Sequence, residues 1–160
     1  MISIFSVVLF HSMRNQLSKT KYYIYVKTHE DTLNKFVEKI KSESNIFHMS
    51  SGERSQKSLN NFNVVYTRND RNTSDNKIYI DDILEREQIE KSVYDDFRKQ
   101  LISLGFLSFR INSDSSITFI VDGYLDDVYG IQYFDKQLDH TQTNFKFNQK
   151  NKIVDDWYIY

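Results

Sequence analysis

Paired aspartates are the residues of this sequence with the clearest capacity for chemistry. Four such pairs occur, at Asp81-Asp82, Asp95-Asp96, Asp126-Asp127 and Asp155-Asp156. Neighbouring carboxylates can hold Mg²⁺ for phosphoryl transfer or hydrolysis. Three of the pairs have a structural explanation, because they open a helix, lie on the solvent side of a helix or precede a strand. The remaining pair, Asp126-Asp127, together with Asp122, is the candidate set for a metal-dependent hydrolase.

Other catalytic signatures are missing from the sequence. The four histidines (His11, His29, His48 and His140) do not form a metalloprotease motif, and cysteine is absent. The chain also lacks the Gly-x-Ser-x-Gly elbow of serine hydrolases and any glycine-rich phosphate loop. We therefore predict no cofactor and no bound metal, and we favour a binding protein over an enzyme.

The segment from Asp122 to Tyr133 is the most distinctive in the chain. It combines the acids Asp122, Asp126 and Asp127 with the aromatic residues Tyr124 and Tyr129. Tyrosine and tryptophan are favoured at protein interfaces because they bury a large area and keep a polar tip. We expect these acids on an exposed rim, with both tyrosines and Trp157 as anchors. The alternative is a bent hairpin whose tyrosines complete the core.

Together with Asp155-Asp156-Trp157-Tyr158, this segment resembles the C-terminal part of small α+β immunity proteins from bacterial toxin–immunity systems. The resemblance covers roughly residues 119–160 and includes no invariant motif. It implies a protein that occludes a toxin and performs no chemistry of its own.

Charge is distributed unevenly along the chain. Residues 1–80 carry an excess of five basic side chains, whereas residues 81–160 carry an excess of six acidic ones. An acidic half disfavours nucleic-acid binding, which needs Lys and Arg for the phosphates. It suits a basic protein partner, such as a toxin domain, through electrostatic steering. A merely solvated acidic face is the open alternative.

The leading interpretation is thus a non-catalytic protein-binding module, plausible as an immunity protein. The second is the hydrolase based on Asp122, Asp126 and Asp127, and the third is a regulatory or structural module. The sequence does not indicate an oligomeric state.

From the helices and strands that the sequence predicts, we expect an α+β fold in which a meander-rich antiparallel sheet packs against two main helices. These elements would position the residues named above. A length of 160 residues predicts one domain, residues 1–160, with residues 1–19 peripheral to the core as an open alternative. The apolar stretch Ile2–Phe10 is too short to span a bilayer and lacks the features of a signal peptide. We read it as a first strand, or as residues that precede a true start at Met13. We expect no membrane association and a cytoplasmic protein, since a cysteine-free chain suits a reducing compartment.

The helices are predicted from apolar spacing. Leu33, Phe36, Val37 and Ile40 form one stripe of a first helix that begins at Thr28. A second helix spans Asp82–Leu104 and ends at Gly105 in a left-handed cap. Its solvent face includes Glu87.

The strands are predicted from alternation and β-branched or aromatic content. Asp122-Gly123 indicates a bend, and Gly130 indicates a bulge or a close backbone approach. The predicted strands are Lys21–Val26, Asn63–Thr67, Lys77–Ile80, Leu107–Ile111, Ile117–Val121, Val128–Phe134 and Ile153–Tyr160, with a turn at Asn112–Ser116.

Overall fold

The computed structural model describes residues 4–43, 45–52, 80–124, 127–135 and 151–160. The side chains of residues 4–18, 123, 124 and 127 lie outside this description. The described elements are α1 (Ile4–Ser42), β1 (His48–Ser50), α2 (Ile80–Glu87), α3 (Lys91–Ser103), β2 (Ser108–Ile111), β3 (Ile117–Tyr124), β4 (Asp127–Tyr133), β5 (Lys152–Val154) and β6 (Trp157–Ile159). The predicted strand Asn63–Thr67 lies outside the described residues.

The described strands form one antiparallel sheet in the order β1-β2-β3-β4-β6-β5. Helices α1 and α3 cover one face of this sheet, where Phe36 of α1 contacts Phe97 of α3 and Phe119 of β3 at ring-centroid distances of 5.8 and 6.0 Å. Lys39 of α1 also forms an ion pair with Asp96 of α3. The predicted α+β fold with an antiparallel sheet is confirmed.

The N-terminal strands predicted at Ile2–Phe10 and Lys21–Val26 are wrong, because residues 4–42 form a single helix of 39 residues. The predicted N-cap Thr28 lies inside it. Strand propensity depends on context. In this segment the helical spacing of the apolar residues outweighs the strand propensity of the individual residues. The predicted stripe from Leu33 to Ile40 is buried and continues two turns further back to Val26. No helix among the described residues is both long and apolar enough to cross a membrane.

The second predicted helix is interrupted. It consists of α2 and α3, and Gln88 between them takes a positive φ of 56°. Ile80, predicted to end a strand, is the first residue of α2. The prediction that Glu87 lies on the solvent face is wrong at this interruption. Glu87 is 7% exposed and accepts a hydrogen bond from Arg86 at 2.6 Å.

The end of α3 agrees with the sequence. Gly105 has φ +71°. Its N–H donates to the carbonyl of Ile102 at 3.0 Å, and the N–H of Phe106 donates to the carbonyl of Leu101 at 2.9 Å. This is the pair of hydrogen bonds that closes a helix through a left-handed residue. The predicted cap is confirmed.

The C-terminal strand predicted at Ile153–Tyr160 is instead a tight hairpin of β5 and β6. Asp155 has φ 43°, and Val154 pairs with Trp157 across the turn. Aspartate tolerates the left-handed region because its short polar side chain can bond locally. The Asp155-Asp156 pair therefore makes a turn in the middle of the predicted strand.

Tyr25 connects α1 to the end of α3, and it supplies a pH-dependent prediction. Its hydroxyl donates to the carbonyl of Leu104 at 2.6 Å, and burial raises the pKa of Tyr25 to about 12 from an ordinary value of 10.0. A raised pKa means that the folded state favours the neutral phenol. The stabilisation is therefore complete below about pH 10 and is lost as the pH rises towards 12.

We expect Tyr25→Phe to cost about 1 kcal/mol at pH 8 through the lost hydrogen bond. The variant should also lose less stability than the wild type between pH 10 and pH 11.5, as measured by urea unfolding. Tyr23→Phe is the control, since that side chain is 46% exposed. Equal alkaline losses in wild type and Tyr25→Phe would show that this phenol does not govern the effect.

Candidate functional site

A β-bulge determines which residues meet where β3 and β4 approach their connection. Ile120 pairs with Gly130, but the next pair joins Asp122 to Tyr129, so Val121 is an extra residue. Tyr129 is two residues from the buried Ile131 and thus lies on the same face of the sheet, the face that the helices cover. The bulge brings Asp122 to that face opposite Tyr129. The predicted bend at Asp122-Gly123 is therefore a bulge within a strand that continues to Tyr124.

Tyr22 of α1 completes a cluster with these two residues. The pKa of the Tyr22 phenol is raised, first by partial burial and then by the charge of Asp122 and by the phenol of Tyr129. These effects place Asp122 and Tyr129 within electrostatic range of the Tyr22 phenol. Asp122 is exposed, Tyr129 is 47% exposed and Tyr22 is half-buried. We call these three residues the hairpin patch.

The other predicted residues of this segment are described only in part. The backbones of Tyr124 and Asp127 pair with each other at the end of β3 and β4. Their side chains, and all of Asp126, lie outside the described residues. Among the residues that the structure describes, no group of three His, Asp or Glu side chains is placed to hold a metal ion.

One of the predicted anchors, Trp157, is not exposed to a partner. It is 1% exposed and belongs to the core. Its ring lies 5.8 Å from that of Phe119 and 5.2 Å from that of Tyr133. The indole Nε1 donates to Asn34 Oδ1 of α1 at 3.3 Å. A side chain held in this way stabilises the contact of α1 with the sheet and presents almost no area to a partner.

A cavity of about 180 Å³ lies between α1 and the β5–β6 hairpin. We call it the acidic notch, because carboxylates form much of its wall. It is lined by Glu30, Asn34, Val37, Glu38, Tyr133, Asp155, Asp156 and Trp157.

Two lysines of the protein already engage the carboxylates of the acidic notch. Lys27 Nζ lies 3.0 Å from Glu30 and 4.0 Å from Asp155. Lys41 Nζ donates to Glu38 of the notch at 3.2 Å and to Asp135, which is not part of its lining, at 2.8 Å. It also lies 4.9 Å from the ring centroid of Tyr133. Burial opposes the charge of Lys41, but its hydrogen bond to Asp135 and its other partners raise its pKa overall.

Ser116 lies at the centre of a polar network on the other face of the sheet. Its Oγ accepts hydrogen bonds from Asn112 at 2.9 Å and Gln132 at 2.7 Å, and it donates to Asp114 at 2.5 Å. Ser116 is 0% exposed. Because its hydroxyl is both inaccessible and fully used, it has no role as a nucleophile in this arrangement. The network supplies partners for the Ser116 hydroxyl and for the amide nitrogens of Asn112 and Gln132, whereas Gln132 Oε1 has none among the described residues.

The sequence did not identify the contributions of α1 to either surface. Tyr22 was assigned to a strand and Glu30 to the first turn of a helix beginning at Thr28. The available signal was the helical spacing of Tyr22 and Val26, which extends the stripe of Leu33. A search of protein-family models, curated proteins and solved structures finds no match to this chain.

Proposed function

We propose that this protein is a non-catalytic binding module that recognises a basic protein, as an immunity protein recognises its cognate bacterial toxin. The observation that carries the proposal is the hairpin patch, in which the exposed Tyr129 stands opposite the exposed Asp122. A tyrosine beside a carboxylate offers a partner both apolar area and a charge. The likeness of residues 119–160 to immunity proteins suggests the class of partner.

Electrostatics also support a basic partner. The acidic notch lies along the same helix as the hairpin patch, since Tyr22 and Glu30 are both on α1. Acidic groups spread over one side of a protein accelerate encounter with a basic surface. The cytoplasm is the compartment that we propose for the complex, since a cysteine-free chain suits reducing conditions.

Association kinetics test the proposal, with the product of the gene neighbouring this one as the first partner to assay. Asp122→Asn is expected to slow association and to flatten its dependence on salt, because exposed charges act mainly on encounter. Tyr129→Ala is expected to speed dissociation by about 30-fold, which corresponds to about 2 kcal/mol for an interface anchor. Stopped-flow or surface-based kinetics at two salt concentrations separate the two effects.

Matched controls are available on the helices. Asp95→Asn removes an exposed charge from α3, and Tyr23→Ala removes a phenol that is 46% exposed, nearly the same as Tyr129. Both controls should bind like the wild type. If Tyr129→Ala and Asp122→Asn bound as the controls do, the hairpin patch would not be the contact surface. Thermal melts of all four variants without partner ensure that folded proteins are compared.

A further inference from the structure

The hairpin patch has the composition of a receptor for one cationic side chain. It combines the carboxylate of Asp122 with the phenol rings of Tyr22 and Tyr129, and the β-bulge at Val121 brings the carboxylate to the same sheet face as the Tyr129 ring. A carboxylate attracts a cation, and aromatic faces attract it further through their quadrupole. Resting on the proposed function, we propose that the hairpin patch receives an arginine side chain of the protein partner.

The protein already contains this combination of groups within its own chain. Tyr133 lies on the same face of β4 as Tyr129, four residues along the strand. The ammonium of Lys41 lies 4.9 Å from the centre of the Tyr133 ring and forms ion pairs with Asp135 at 2.8 Å and Glu38 at 3.2 Å. At one end of β4 a tyrosine and nearby carboxylates thus hold a cation. At the other end, Tyr129 and Asp122 offer the same groups on a more exposed surface.

Arginine fits the hairpin patch better than lysine does. The guanidinium is planar, so it can stack against a phenol ring while its N–H fork pairs with a carboxylate. It is also less strongly hydrated than an ammonium group, so less hydration is lost when it lies against a partly buried ring such as Tyr22.

The test uses N-acetyl-arginine amide as the probe, with the lysine and citrulline amides for comparison. Each is titrated at low salt into the full-length protein while NMR follows the ring signals of Tyr22 and Tyr129. We expect saturable shifts with a Kd on the order of millimolar or weaker. The arginine probe should bind about two- to fivefold tighter than lysine through its stacking contact, and the neutral citrulline should give no saturable shift.

Variants assign the contacts. Asp122→Asn should weaken arginine binding about two- to fivefold, the range of an exposed ion pair, and Asp95→Asn should leave it unchanged. Tyr129→Phe should retain binding because the ring remains, whereas Tyr129→Ala should lose it. The proposal is overturned by ring shifts that do not saturate, by equal shifts with citrulline, or by unchanged binding in Asp122→Asn.

The outcome is distinguishable from a failure of the proposed function. If the partner kinetics respond to Asp122→Asn and Tyr129→Ala while the arginine probe fails, the binding module stands and the arginine assignment falls. If the probe binds and the partner kinetics do not respond, the arginine site stands without the partner proposed for it.

Discussion

Replacing Gly130 by alanine is expected to destabilise the protein by at least about 3 kcal/mol, above the usual cost of an extra methyl group in a packed interior. A Cβ at this position would collide with the carbonyl oxygen of Phe119 and lie 3.1 Å from the Cα of Ile120. Both are backbone atoms of the neighbouring strand, so no side chain can rotate away. Relief requires β3 and β4 to separate beside the bulge at Val121. Urea unfolding followed by circular dichroism measures the loss.

Gly105→Ala is the matched control for Gly130→Ala. A Cβ at Gly105 would meet no atom within 4 Å, but the residue has φ +71°. Alanine there should cost only about 1–2 kcal/mol, the strain of a left-handed residue with a Cβ. The comparison separates a backbone collision from conformational strain. A stability of Gly130→Ala within 1 kcal/mol of wild type would show that the strands do not approach each other as described.

Trp157→Ala is expected to cost about 3–5 kcal/mol, the range for a large aromatic side chain removed from a core. The indole contacts Phe119 and Tyr133, and its N–H bonds to the exposed Asn34, so the substitution leaves a cavity and removes one hydrogen bond between α1 and the sheet. Trp157 is the only tryptophan. Circular dichroism therefore replaces intrinsic fluorescence as the probe of unfolding.

Tyr129→Ala provides the comparison, because its side chain is 47% exposed whereas that of Trp157 is 1% exposed. Its effect on stability should stay within about 0.5–1 kcal/mol, as for most surface substitutions. The opposite pattern, with a stable Trp157→Ala and an unstable Tyr129→Ala, would exchange the roles given to these residues. It would restore Trp157 as an interface anchor.

The sequence predicted the fold where one local signal had no competitor. The stripe from Leu33 to Ile40 has helical spacing and no strand alternation, and Gly105 follows the last apolar residue of a helix. The sequence misled where propensity and period disagreed, as at Tyr22 and Val26, whose residue types favour strands while their spacing continues a helix. Their burial against the sheet decides in favour of the helix, and this information is not local.

The candidate site was predictable in part for the same reason. The composition of the hairpin indicated Asp122 and Tyr129 as site residues. The position of Asp122, however, depends on a one-residue bulge for which the sequence contains no local signal. Trp157 was placed at an interface because tryptophan is common there. Whether it is buried depends on Asn34 and Phe119, which are distant in sequence and reach it only in the folded chain.

The hydrogen bond between Asn34 and Trp157 joins residues 123 positions apart, and it has a consequence for synthesis of the protein on the ribosome. Helix α1 is made first, but the strands β2 and β3 that cover its apolar stripe are made later. Strand β1 likewise finds its partner β2 only after the intervening 57 residues have been made. Contacts so distant in sequence slow folding and prolong the exposure of apolar surface. The apolar stripe of α1 therefore stays exposed until β2 and β3 have been made, and the bond between Asn34 and Trp157 forms only after β6 has been made.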